Sequence, residues 1–174
     1  MSTSTLVFLS VRALHVLLAA TWIGMVAFVQ LFLAPALDDV GPSGAALMTA
    51  MGRRGLHARI AAIAGTTVLT GIWLYWRFTG GFDPAASASM GARVFGAGGV
   101  AGILAAIIGG AIVSRSAKKL EGLGAKVVAT TDATERTGLL AEIGATKRRL
   151  AMSGKIVLIL QVIALVCMAV GHYV

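Results

Sequence analysis

The sequence predicts an all-α integral membrane protein, a four-helix bundle, and three observations carry that prediction. Of its 174 residues, 57% are hydrophobic and 13% charged, where soluble domains run at about 45–50% and about 25%. The mean hydropathy is +0.88. The apolar residues gather in four runs, 7–33, 57–77, 93–114 and 153–173, each matching the roughly 20 residues a helix needs to cross the hydrocarbon core. Lipid offers backbone amides no partner, and these runs lack the alternation of a membrane barrel, so helices are expected. The length fits one domain, 1–174, with all four spans in it.

The first span begins within the opening MSTSTLVFLSV. That start has no positive n-region and runs into an apolar stretch too long for a signal peptide, so an uncleaved span is expected. The first connection, APALDDVGPSGAALMTAMGRRGL, carries Pro35 and Pro42 as breakers around a short amphipathic piece near residues 45–51. The second, TGGFDPAASASMG, reads as a turn-rich link through Asp83-Pro84. The third, 115–152, is expected to be a long basic loop between helices three and four. Within it, Asp132 and Thr134 signal a helix start, and Leu139, Ile143 and Leu150 recur at helical spacing, so span four extends outward as a helix.

Charge sets the expected orientation. Of the 15 Lys and Arg residues, all but Arg12, Arg77 and Arg93 fall in connections one and three or at the span ends that adjoin them. The positive-inside bias makes those connections cytoplasmic and puts both termini on the outer side of a bacterial inner membrane. Trp73, Tyr75 and Trp76 then lie at the outer end of span two, where aromatic rings favour the interface. The net charge of +8 flanks apolar spans and forms no stripe with interleaved aromatics, so nucleic acid is not an expected partner. The lone Cys167 excludes an internal disulfide and a CxxC metal site. No Asp or Glu occurs in any span, which disfavours a proton-driven pump.

Polar residues inside the spans mark the candidate site. Steps of three and four place Arg12, His15, Ala19, Trp22, Val26 and Gln30 on one stripe of span one. Gln161, Leu165, Met168 and His172 form a similar stripe on span four. In an antiparallel pairing, His15 and His172 fall in nearly the same layer near the outer face, and His57 lies at the opposite end of span two. In span three, Gly98, Gly102, Ala106 and Gly110 recur every four residues, a pattern that lets a helix or a flat cofactor approach the backbone.

Histidine and arginine one turn apart suit a haem, whose iron takes an axial imidazole and whose propionates attract a guanidinium. The cofactor-binding candidates are therefore His15, His172 and Arg12, for haem b. Imidazole with a thioether also suits copper, with His15, His172 and Met168 as ligands. A cofactor-free structural subunit is the third reading. A quinone or other membrane redox partner, a second copy and a larger complex are the partners these readings entail, beside the bilayer itself.

The stretches RALHVLLAATWIGMVAFVQLFLAPAL and MGRRGLHARIAAIAGTTVLTGIWLYWRF resemble the small bacterial four-helix membrane proteins around the CopD domain and the HemJ-like group. The HemJ-like resemblance implies a haem b and protoporphyrinogen oxidation. Its early histidine after leucine lands on Leu14-His15, and its Trp-x-Gly lands on Trp22-Ile23-Gly24. That group closes span one with Pro-Arg and an aromatic-histidine pair, where this chain has QLFLAPAL, an ending similar to CopD-like proteins.

Overall fold

The computed structural model describes residues 2–174, and every regular element in that range is helical. Helix α1 (Thr3–Phe28), begun by Ser2 accepting from the amide of Thr5, passes through a π-helical turn (Val29–Leu33) into α2 (Ala34–Asp39). Then follow α3 (Pro42–Arg53), α4 (Leu56–Phe78), the short α5 (Pro84–Ser87) and α6 (Met90–Ile108). A second π-helical turn (Gly109–Val113) carries α6 into α7 (Ser114–Ala129), and α8 (Ala133–Val170) completes the chain. Four stretches are long and apolar enough to span a membrane: Thr3–Asp39, Leu56–Phe78, Met90–Ala129 and Ala133–Val170.

Two expectations are corrected here. Pro35 does not end span one, because the wide turn just before it absorbs the amide that proline lacks and the helix runs on to Asp39. The chain turns instead at Gly41, whose φ of 58° suits glycine. The segment 115–152 is likewise not a loop. Only Thr130–Asp132 separate α7 from α8, and the two helices pack against each other as a hairpin beyond the spans. Ser116, Leu120, Leu123 and Val127 on α7 face inward at heptad spacing, as do Leu139, Ile143, Thr146 and Leu150 on α8. Lys119 and Glu142 pair across the hairpin at 2.7 Å, and Lys147 reaches Asp38 at 2.6 Å.

The expected start at Asp132 is present: its carboxylate accepts from the amides of Thr134 at 2.7 Å and Glu135 at 3.3 Å, and Thr130 donates its hydroxyl to Glu135. Asp132→Ala should lower stability by about 1 kcal/mol, the usual worth of an N-cap. Thermal unfolding in detergent measures it, and an unchanged midpoint would mean that the hairpin turn forms without its cap.

Each of the four spans gives one residue to the central buried cluster of Trp22, Ala64, Ala105 and Val157. Spans three and four approach most closely, and glycine makes that approach feasible. A Cβ on Gly98 would stand 2.7 Å from Cβ of Cys167 and 3.2 Å from the Ala164 carbonyl. The packed face of α6 continues through Ala101 and Ala105, whereas a Cβ added at Gly102 or Gly110 would meet nothing within 4 Å. The every-four pattern drifts about 40° around the helix per step, so Gly102 turns away from α8 toward open space, while Ala106 packs against the central cluster.

Candidate functional site

Helices α1 and α8 run antiparallel in a register fixed at two points. Arg12 Nη2 lies 2.9 Å from His172 Nε2, and the amide of Gln30 lies where a Cβ on Gly154 would stand. The four spans line a cavity of 730 Å³, within the about 300–1,000 Å³ range of small-ligand sites. Its wall is predominantly apolar and contains no Asp or Glu.

His15, Arg12, His172 and Met168 all line this cavity, as does Gln161. His15 Nδ1 is 3.0 Å from the Thr67 carbonyl and 3.0 Å from Thr70 Oγ1. A carbonyl only accepts, so Nδ1 carries the proton and donates, leaving the lone pair of the neutral ring on Nε2. The Thr70 hydroxyl is itself donated to the carbonyls of Thr66 and Thr67. Glycine at position 71 makes room for the ring, since a Cβ there would lie 2.9 Å from Cε1 of His15.

Arginine only donates, so His172 Nε2 accepts from Arg12. The His172 ring also packs edge-on against Phe95, with centroids 5.1 Å apart. Arg12 retains further N–H donors at the cavity's polar end, where it is the one charged group of the lining. Met168 leans toward Gly98, its Cε 3.4 Å from a Cβ built there. His57 lies in the first turn of α4, about 15 Å below Thr67 at the helical rise, and takes no part in the lining. Among the described residues, no group of three or more His, Cys, Asp or Glu side chains is placed to hold a metal ion.

The seat of His15 and the unpaired state of Gln161 lay outside the sequence reading. Thr67, Thr70 and Gly71 build the seat of His15, and the run TTVLTG was the available signal. Gln161, expected on the inner stripe of α8, is 5% exposed, and neither its Nε2 nor its Oε1 has a hydrogen-bond partner.

Fold and site together define a class: a multi-pass helical membrane protein with an internal cavity, polar at one end. No protein-family model matches the chain, and no curated protein or solved structure matches it.

Proposed function

We propose that this chain is a bacterial inner-membrane protein that holds a b-type haem near the outer face, in a redox role, with His15 as axial ligand. The observation that carries this reading is the hydrogen bond from His15 Nδ1 to the Thr67 carbonyl. Metal-binding histidines commonly donate their second ring nitrogen to such a partner, which orients the ring and strengthens the other nitrogen as a ligand. A haem would supply one-electron chemistry, the cavity would exclude water from it, and Arg12 would meet a propionate. The open space over Gly99 and Gly102 leaves the backbone of α6 accessible to a flat ring.

The resemblance to the HemJ-like group supports the same ligand, and that to CopD-like proteins supports copper. Copper handling would draw on His15, Met168 and His172, which share the cavity. The engagement of His172 Nε2 by Arg12 favours haem. Titrating haemin into the purified protein tests the choice: a Soret band saturating at one equivalent supports it. Copper binding without haem uptake favours the alternative, and uptake of neither leaves a structural subunit.

The outer location follows from the positive-inside bias, with the termini at the site's end of the bundle and the basic hairpin at the other. A reporter inserted at the 130–132 turn should report a cytoplasmic position. A periplasmic signal would reverse the orientation and move the site to the inner face.

A further inference from the structure

We propose that the deep end of the cavity, at Gln161, binds the head group of a membrane quinone taken up from the bilayer. This goes beyond the haem reading and does not depend on it. The register of α1 and α8 sets Gln161 level with Ile23, about 12 Å further along the bundle than His15. At that depth water offers no alternative partner, and a buried amide left unpaired is costly. Gln161 nevertheless lines the cavity with both polar atoms unpaired and 5% of its surface exposed. Polar side chains at such depth mark a binding function by default.

Three properties of the place define the ligand. The surroundings are uncharged and include the indole of Trp22, so an uncharged flat ring fits. The amide presents a donor and an acceptor side by side, which suits a group that is a carbonyl in one redox state and a hydroxyl in the other. Entry is from the side: between the Arg12–His172 and Gln30–Gly154 closures, the cavity residues Val16 on α1 and Leu165 on α8 are 57% and 53% exposed. That seam faces lipid, where an isoprenoid tail would remain.

The test is binding of decylubiquinone to the purified protein by equilibrium dialysis, with decylbenzene as a control that keeps the tail and lacks the oxygens. Wild type should bind one equivalent saturably, and decylbenzene should not compete. Gln161→Leu and Gln161→Met should each weaken binding about ten-fold while melting no lower than wild type, because each removes an unpaired buried amide. His15→Ala should keep quinone binding, so loss of haem alone leaves this inference standing, and loss of quinone binding alone leaves the haem reading standing. Absence of saturable binding in wild type, equal competition by decylbenzene, or full affinity in the Gln161 variants would each overturn it.

Discussion

His15→Ala protein is expected to insert normally and to carry no haem absorption. Alanine makes the span more apolar, and insertion depends on apolarity. The next residues on that face, Ala19 and Trp22, supply no ligand. His172, on the facing helix, has its Nε2 held by Arg12. Arg12→Gln should act more mildly, weakening cofactor retention by the worth of a charge-assisted contact, about 1.5–3 kcal/mol, with the ligand still in place. His57→Ala should leave the spectrum as it is, since His57 lies at the far end of α4. The check is the haem-to-protein ratio of the variants after identical purification. Equal ratios in His15→Ala and wild type would remove His15 from the site.

Gly98→Leu should clearly destabilise the packing of span three against span four. Its Cβ alone would collide with Cys167, and the opposing Ala164 carbonyl is backbone that moves only with α8. Forcing a larger side chain into such a contact costs about 1–3 kcal/mol or more, several degrees in thermal midpoint for a chain of this length. At Gly102, four residues on, an added Cβ meets nothing within 4 Å, and Gly102→Leu should melt like wild type while occupying cavity volume and reducing haem uptake. Melting curves of the two variants in one detergent decide it. The reverse order would mean that Gly102, and not Gly98, faces a helix.

The contrast between these glycines shows what the sequence makes legible. A repeat of four announces a small-residue surface, but the angle at which α6 meets α8 selects Gly98, Ala101 and Ala105 as the part that packs. The four spans and the cap at Asp132 were readable because apolar length and capping chemistry are local. The antiparallel register placed Arg12, His15, Met168 and His172 at one end for the same reason, since it needs only the helical rise. Thr67 and Thr70 could not be assigned to His15, because their part depends on how α4 is rotated against α1. The α7–α8 hairpin was hidden by its charges and glycines, although its heptad spacing was present. Pro35 misled because a breaker's effect depends on whether a wide turn precedes it.

The most direct measurement is the visible absorption spectrum of the protein purified from membranes, with metal analysis of the same sample. The account predicts a Soret band and iron at close to one equivalent per chain. A colourless protein without iron, or one holding stoichiometric copper and no Soret band, would contradict it.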